Sequence, residues 1–402
     1  MQIVRSSTAR LLDLIALSGL FLAAPSWGQT WTQTGAPDEY WYALASSANG
    51  RTLVAAIGGS GGPSGPIFTS TNSGVTWTPA DGANSSYLAS VTSSADGTRL
   101  WAATYDPVHH SGAGYSSTNS GATWTMNDSG TVVAIAFSAD GTQLVAAAGG
   151  GPIYLSTNAG GTWATASAPI TNWGSVASSA DGTKLVAAAS TVDVPAPDTG
   201  GPIYTSADSG ATWVPTSTPI NVWRSVASSA DGTKLVAVAG GGPIYLSTNA
   251  GATWTTSSAP AGYWYSAASS ADGTHLVAGG AAGVYTSTNS GATWISNNLP
   301  SLQWHAVASS SDGSRLVAAA QGGGIWTSQV APAPLLSIRP TDSSVVISWT
   351  VPSLDFVLQE NSDLSTTNWT DVTNSRTLNF TNLQYQVMAT ATNGKRFYRL
   401  KH

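Results

Sequence analysis

Two short phrases recur along this chain, and they constrain its fold more than any other feature. The first has the form S-x-[N/D]-x-G-x-T-W and occurs six times, including STNSGATW at 117–124 and again, letter for letter, at 287–294. The second contains an Asp-Gly or Asn-Gly step, as in SSADGTKLVAA, and occurs seven times. The step begins at Asn49, Asp96, Asp140, Asp181, Asp231, Asp272 and Asp312. A period of about 40–50 residues built from short strands is typical of repeat folds in which each unit is one small sheet.

Each repeat unit divides into four predicted strands. In residues 223–256 the order is WRSVASS, an ADG turn, TKLVAVA, a GGGP loop, IYLS, and the S-x-[N/D]-x-G-x-T-W phrase that leads into TWTT. Asp-Gly between two β-rich runs predicts a hairpin with a type I′ turn, in which Gly takes a positive φ. No stretch after residue 28 has sustained helical periodicity, so the sequence predicts an all-β protein.

The two ends of the repeat region complement each other. TWTQ at 30–33 is a fourth strand without the first three, and IWTSQ at 325–329 is a third strand without a fourth. Pairing them would complete a seventh unit and would remove the exposed edges of an open array. The prediction is a seven-bladed β-propeller over residues 29–330, closed by its N-terminal strand.

The chain before the repeats is predicted to be a secretory signal peptide, residues 1–28. Arg5 and Arg10 form a basic segment, an apolar stretch follows, and Ser26 and Gly28 are the small residues of a cleavage site. The predicted location is therefore secreted, at the cell surface or periplasmic.

The chain after the repeats changes character. APAP at 331–334 is predicted to be a linker, and residues 335–402 contain short runs of alternating apolar residues such as Val345, Ile347 and Trp349. This pattern predicts a small β-sandwich.

Composition excludes several classes of function. The 402 residues include no Cys, which excludes disulfides and thiolate chemistry. The net charge is −6 and there is no basic run, so no nucleic-acid partner is expected. No segment after residue 28 could span a membrane as a helix. We predict a monomer without cofactor, catalytic residue or metal ligand.

The S-x-[N/D]-x-G-x-T-W phrase resembles the Asp-box, or BNR repeat, of sialidases and related propellers, across residues 29–330. The resemblance implies that the boxes lie at the periphery of one face, away from any catalytic pocket. Its members include xyloglucan-cleaving glycosidases, sortilin-type receptors and photosystem II assembly factors. Residues 335–402 resemble fibronectin type III-like modules, which implies a role in attachment or spacing.

Loop lengths predict which face of the propeller carries function. The Asp-Gly turn and the box hardly vary in length, and because strands alternate in direction both lie on one face, here called the turn face. Second-to-third loops range from GGGP to STVDVPAPDTGGP and lie on the opposite, loop-rich face. Variable loops on a constant scaffold usually carry function.

Candidate binding residues fall at the start of the first strand, on the loop-rich face. Eight residues before the Asp-Gly step, five of seven units have a tryptophan: Trp41, Trp173, Trp223, Trp264 and Trp304. The next position includes Tyr42, Arg224, Tyr265 and His305. An aromatic ring there could stack on sugars or clamp a peptide; alternatively, the tryptophans wedge between blades as core.

The residues argue against sialidase chemistry. The propeller has no arginine cluster, because Arg51, Arg99 and Arg315 flank turns on the other face, and its only Glu is Glu39. A glycosidase with two loop carboxylates remains an alternative. The available loop acids include Asp106, Asp193 and Asp198, but no spacing singles out a pair.

The leading hypothesis is a secreted, non-catalytic propeller that binds a glycan, peptide or protein on its loop-rich face. Its expected partner is a polysaccharide or an extracellular protein. The first alternative is a glycoside hydrolase of the sialidase or xyloglucanase-like propeller type, and the second is an assembly or scaffold factor.

Overall fold

The computed structural model describes most of the repeat region and parts of the C-terminal region. The described residues are 4–6, 30–58, 65–85, 88–104, 112–127, 131–191, 200–329, 336–341, 344–350, 357–362, 368–374, 376–379, 384–390 and 396–401. Within these ranges every helix or strand element is a β-strand. The chain divides into two compact units, Gln29–Val330 and a smaller unit formed by Met1–Gly28 with Ala331–His402.

The larger unit contains strands β2 to β29, numbered in chain order after β1 (Val4–Ser6) of the smaller unit. They are β2 Thr30–Gln33, β3 Glu39–Ser46, β4 Leu53–Ile57, β5 Gly65–Ser70, β6 Thr78–Ser85, β7 Leu88–Ser93, β8 Leu100–Thr104, β9 Gly114–Ser117, β10 Thr125–Asn127, β11 Val132–Phe137, β12 Leu144–Gly151, β13 Ile153–Ser156, β14 Ala164–Thr165, β15 Thr171–Ser178, β16 Leu185–Thr191, β17 Ile203–Ser206, β18 Val214–Pro215, β19 Trp223–Ser228, β20 Leu235–Ala239, β21 Tyr245–Ser247, β22 Thr255–Thr256, β23 Trp264–Ser269, β24 Leu276–Gly280, β25 Gly283–Ser287, β26 Ile295–Ser296, β27 Gln303–Ser309, β28 Arg315–Gly323 and β29 Ile325–Gln329.

Antiparallel pairing joins these strands in groups of four, and the β12–β15 and β28–β3 pairings join two pairs of groups into eight-stranded sheets. The groups are β3 to β6, β7 to β10, β11 to β14, β15 to β18, β19 to β22, β23 to β26, and β27 to β29 with β2. In the last group Thr30 lies opposite Gln329, and Gln33 lies opposite Trp326. The first strands of successive groups contact one another, and β27 contacts β3. The first and last groups in the chain are therefore neighbours.

The Asp-Gly turns have the predicted glycine conformation but not the predicted turn type. Gly232 has a φ of 68°, whereas among the described residues none of the turn Asp residues has a positive φ. A type I′ turn needs both, so that prediction is wrong. Instead the Gly232 N–H donates to the Ser229 carbonyl at 3.0 Å, which is a type I geometry with Gly at the fourth position.

The Asp side chain explains the change of turn type. Asp231 Oδ1 accepts hydrogen bonds from Ser229 Oγ at 2.6 Å and from the Thr233 N–H at 3.0 Å. These bonds satisfy the turn locally while Asp keeps an ordinary backbone conformation. The Ser229 bond first, and the Thr233 bonds after it, lower the Asp231 pKa to about 2.

Backbone hydrogen bonds link the seven turns into a ring. In each turn the residue before the Asp or Asn donates its N–H to the carbonyl of the matching residue in the next group, at 2.6–2.8 Å. The order is Ala48, Ala95, Ala139, Ala180, Ala230, Ala271, Ser311 and back to Ala48. Every group therefore both donates and accepts one such bond.

Each box is held by its own side chains. In the copy at 247–254, Ser247 Oγ donates to Asn249 Oδ1 at 3.0 Å and accepts from the Gly251 N–H at 2.9 Å. The Ala250 N–H donates to the carbonyl of Thr233, beside the Asp-Gly turn, at 2.7 Å. Since equivalent bonds occur in all six copies, the prediction that box and turn share one face is confirmed.

Within the described residues, the smaller unit contains two four-stranded antiparallel sheets. Its other strands are β30 Ser337–Pro340, β31 Ser344–Thr350, β32 Val357–Asn361, β33 Thr370–Asp371, β34 Arg376–Asn379, β35 Gln384–Thr390 and β36 Arg396–Lys401. The sheet orders are β30-β31-β35-β34 and β1-β36-β32-β33, and Ile347 and Trp349 of one sheet share a core with Leu358 and Tyr398 of the other. Apart from Val4–Ser6, residues of the predicted signal peptide lie outside the described ranges, as do the linker residues 331–334.

Candidate functional site

The five candidate tryptophans are core residues, so the interpretation that they form a ligand-stacking ring is wrong. Their exposed fractions are 0% for Trp41, 3% for Trp173, 0% for Trp223, 1% for Trp264 and 0% for Trp304. Trp223, for example, packs against Val186, Ala188 and Ile203 of the preceding four-strand group. The alternative interpretation, that the tryptophans wedge between blades, is the one that the packing supports.

A ring contact and an indole hydrogen bond fix Trp41, Trp173 and Trp223 in place. Within the described residues, Trp264 has only a ring contact, with Tyr285, and Trp304 has only a hydrogen bond, to the Pro300 carbonyl. The Trp223 ring lies edge-to-face with Tyr245 of the third strand, with centroids 5.2 Å apart, and its Nε1–H donates to the Gly201 carbonyl at 2.8 Å. Trp173 makes the same kinds of contact with Tyr204 and the Gly151 carbonyl. A buried indole whose N–H is satisfied stabilises the inter-blade core and has no surface left for a ligand.

The position after each tryptophan is a β-bulge. Trp264 lies opposite Gly280 and Ser266 lies opposite Gly279, so Tyr265 is an extra residue without a partner. The same one-residue shift occurs at the start of all seven first strands. The extra residues, here called the bulge ring, are Tyr42, Ala89, Val133, Gly174, Arg224, Tyr265 and His305. A β-bulge changes the direction in which the side chain of its extra residue points. In this protein the extra residue of every unit is the variable one.

Four members of the bulge ring come together. The Tyr265 and His305 rings are stacked, with centroids 4.1 Å apart and an interplanar angle of 11°. Tyr42 lies 5.8 Å from His305, centroid to centroid, at 33°. Arg224 precedes Tyr265 around the ring and is exposed, whereas the three aromatic rings are half-buried. The structure thus brings all four of these predicted site residues into one sector.

The other three members of the bulge ring are small or aliphatic. Ala89, Val133 and Gly174 belong to β7, β11 and β15, which are consecutive first strands. The bulge ring is therefore asymmetric, with large polar and aromatic side chains on β19, β23, β27 and β3 and small ones on the opposite side.

Arg224 dominates the electrostatics of this sector. The described residues offer it no hydrogen-bond or ion-pair partner. The pKa of His305 is lowered from its ordinary value, first by burial and then by the Arg224 charge, so the neutral imidazole is favoured at neutral pH. The site therefore carries one positive charge beside a neutral aromatic stack.

The remaining Lys and Arg residues of the larger unit lie at the turns. They are Arg51, Arg99, Lys184, Lys234 and Arg315, each within three residues of a turn glycine. Lys184 Nζ donates to the Asp231 carbonyl of the next turn at 2.6 Å, and Arg315 donates to Ser73 Oγ at 2.6 Å. These bonds fasten neighbouring groups. Arg224 is the one Lys or Arg of the larger unit at the other end of the strands.

The loop acids of the hydrolase alternative mostly lie outside the described residues. This holds for Asp106, Asp193 and Asp198. Asp38 is described, and its Oδ1 accepts a bond from Gln33 Nε2 at 3.4 Å. Across the described part of the chain there is no cluster of three or more His, Asp or Glu that could hold a metal, and no helix that could span a membrane.

Comparison with solved structures identifies the fold. YCF48 from Cyanidioschyzon merolae matches with a TM-score of 0.54 and 16% identity over 74% of this chain and 98% of its own. A structure of YCF48 bound to D1 peptide matches with a TM-score of 0.54 and 16% identity over 76% of this chain and 97% of that one. The GH74 xyloglucanase from Xanthomonas campestris matches with a TM-score of 0.56 and 16% identity over 80% of this chain. This chain is a β-propeller.

The likeness extends to the fold and no further. This chain spans 59% of the length of the xyloglucanase. No family model and no curated protein sequence matches it.

The sequence predicted candidate site residues at the position after the tryptophan position, but it did not predict the β-bulge at that residue. Alternation along a strand says that neighbouring side chains point to opposite faces, but it does not say which face is the core. The available signal was variability: among seven nearly identical first strands, the residue after the Trp position is the one that differs most, from Gly174 to Arg224.

Proposed function

We propose that this chain is a secreted, seven-bladed β-propeller with Asp-box repeats that binds a glycan or a polypeptide, without catalysis, at the bulge ring of its loop-rich face. Arg224, Tyr265, His305 and Tyr42 form the binding surface. The observation that carries the proposal is the convergence of these four variable side chains, through bulges present in every unit, into one sector.

The blade number and the closure have separate support. Seven groups of four strands, the pairing of Thr30–Gln33 with Ile325–Gln329, and the return of the backbone hydrogen-bond ring from Ser311 to Ala48 all favour a closed ring. Secretion is supported by the basic and apolar pattern of residues 1–28, and an attachment role for the fibronectin type III-like module by its position after the propeller.

Two other functions, a glycoside hydrolase and an assembly or scaffold factor, remain as alternatives. One structural neighbour is named as a xyloglucanase and another as a protein bound to a peptide, so the fold accommodates both hydrolysis and polypeptide binding. The non-catalytic reading is favoured because the described part of the site has a cation and aromatic rings but no facing pair of acids.

The test is a screen of polysaccharides and peptides for both binding and product release, using the full chain. We expect binding that weakens at least about tenfold in Arg224→Gln and in Tyr265→Ala. Arg51→Gln, which removes a cation from the turn face, is the matched control and should bind normally. Product release that is abolished by Asp106→Asn or Asp193→Asn would establish the hydrolase alternative instead.

A further inference from the structure

Three exposed apolar side chains belong to the four-strand group of Arg224 and to the two groups next to it, on the loop-rich face. Ile170 is 73% exposed, Ile220 58% and Tyr263 64%. Each lies in the link that leads into a first strand, and the three strands, β15, β19 and β23, are consecutive in the ring. These residues are here called the apolar rim. Exposed apolar residues, together with Arg and Tyr, are common on protein-binding surfaces.

The links that carry the apolar rim are held by backbone hydrogen bonds. The Gly201 N–H donates to the Asn221 carbonyl at 2.9 Å, which ties a second-to-third loop to the link that contains Ile220. The Gly262 N–H, next to Tyr263, donates to the Gly242 carbonyl at 3.0 Å. A surface that is fixed before binding loses little conformational entropy when a partner docks.

The position of Arg224 is also defined. A Cβ added at Gly240 would lie 3.1 Å from Arg224 Nε, so the guanidinium passes directly over a residue without a side chain. Arg224 is exposed and has no hydrogen-bond or ion-pair partner within the ranges described. The planar fork of a guanidinium matches a carboxylate, with which it can form two charge-assisted hydrogen bonds.

The apolar rim distinguishes between the two ligand classes left open above. A sugar presents hydroxyl groups over most of its surface, and two exposed isoleucines offer those hydroxyls no hydrogen bonds. Aliphatic or aromatic side chains of a polypeptide, in contrast, gain free energy when they cover Ile170 and Ile220. A carboxylate between such side chains would satisfy Arg224 at the same time.

We propose that the ligand of this face is a polypeptide segment that places an Asp or Glu carboxylate on Arg224 and lays its flanking apolar side chains on the apolar rim of Ile170, Ile220 and Tyr263. This inference rests on the proposed function and names its partner class.

The first experiment selects peptides from a displayed library of random dodecamers against the full-length chain. Peptides selected by the unmodified chain should be enriched in Asp or Glu flanked by aliphatic or aromatic residues. The enrichment in acids should disappear when selection uses Arg224→Gln and should persist with Arg51→Gln, the matched charge removal on the turn face. Selected peptides without acid enrichment would overturn the inference, as would a library that yields no binder.

The second experiment measures affinities of one selected peptide and of its Asp-to-Asn form. On the unmodified chain the Asn form should bind about tenfold more weakly, because one charge-assisted pair is lost. On Arg224→Gln the two forms should bind equally. The double variant Ile170→Ser, Ile220→Ser should weaken both forms by the same factor; a loss confined to the Asp form would contradict the assignment of the apolar rim. Thermal unfolding of each variant checks that the fold is retained.

Oligosaccharides separate failure of this inference from failure of the proposed function. Oligogalacturonate and xyloglucan fragments are measured against the same variants. Sugar binding that depends on Arg224 and Tyr265, with no acid-enriched peptides, would overturn the inference and leave the proposed function standing. Binding of neither class at this face would overturn both.

Discussion

The seven Asp-Gly or Asn-Gly turns and the seven members of the bulge ring lie at opposite ends of the same strands, and they differ in sequence variability and in hydrogen bonding. The turns repeat almost letter for letter, and their polar groups are bonded to one another in a ring. The bulge residues range from glycine to arginine, and each is extra to its strand pairing. The difference shows that the repeated end builds the propeller, whereas the variable end is free to acquire a ligand.

The largest expected effect concerns the tryptophans that border the bulge ring. Trp223→Ala should destabilise the fold by about 3–5 kcal/mol, because it removes a fully buried indole from the core between two groups. The free energy of unfolding in urea measures this. Trp223→Phe, which keeps an aromatic ring, should lose clearly less. A Trp223→Ala variant that keeps its stability and loses only ligand binding would instead place Trp223 in the binding site.

A smaller loss is expected at the turn end. Asp231→Ala removes the acceptor of Ser229 Oγ and the Thr233 N–H and should cost about 1–2 kcal/mol. Asp231→Asn should cost much less, because Asn49 already forms the equivalent bond with the Arg51 N–H at 2.9 Å. Urea unfolding again supplies the measurement, and equal losses in both variants would contradict the hydrogen-bond explanation.

These two positions also show how far the sequence alone could lead. The strands, the turns and their shared face could be predicted because their signals are local and are repeated in every unit. The turn type was wrong because Asp-Gly fits two geometries. The one that forms is selected by contacts of Asp231 with Ser229 and Thr233, each two residues away, which the Asp-Gly pair alone does not indicate. The burial of Trp223 could not be predicted because strand alternation does not identify which face is the core. In addition, the extra residue of the β-bulge, Arg224, interrupts the alternation of side chains along the strand.

A gain in stability is expected between two groups on the turn face. A surface cavity of about 180 Å³ is lined by Lys184, Thr205 and Ala250 among others. The third strands at the equivalent position of two other groups carry Leu155 and Leu246. Thr205→Leu should therefore fill the cavity and raise stability by about 0.5–1 kcal/mol, measured by urea unfolding. Thr205→Val is the control, because it keeps the size of the side chain almost unchanged. A destabilised Thr205→Leu variant would mean that the cavity is too narrow for leucine.

The smallest effect is expected at the one box with a carboxylate. Hydrogen bonds from Thr212, first from its side chain and then from its backbone, and from Ser206 lower the Asp208 pKa to about 2. A lowered carboxyl pKa stabilises the fold above the ordinary value of 3.8, and that contribution is lost as the pH falls towards 2. At pH 7, Asp208→Asn should have the same free energy of unfolding as the unmodified chain, measured in urea. Between pH 4 and 2, the free energy of unfolding of this variant should fall less than that of the unmodified chain. An Asn variant that weakens the fold at pH 7 would contradict the equivalence of the six boxes.

The division between a structural end and a binding end is tested most directly by measuring unfolding and ligand affinity together in two double variants. Arg224→Gln with Tyr265→Ala changes only the bulge ring, and Ser229→Ala with Asp231→Ala changes only a turn. The predicted result is that the bulge variant loses affinity for the selected peptide or sugar and keeps its unfolding midpoint to within a few degrees, while the turn variant loses stability and keeps its affinity. A bulge variant that unfolds while the turn variant loses binding would contradict the account.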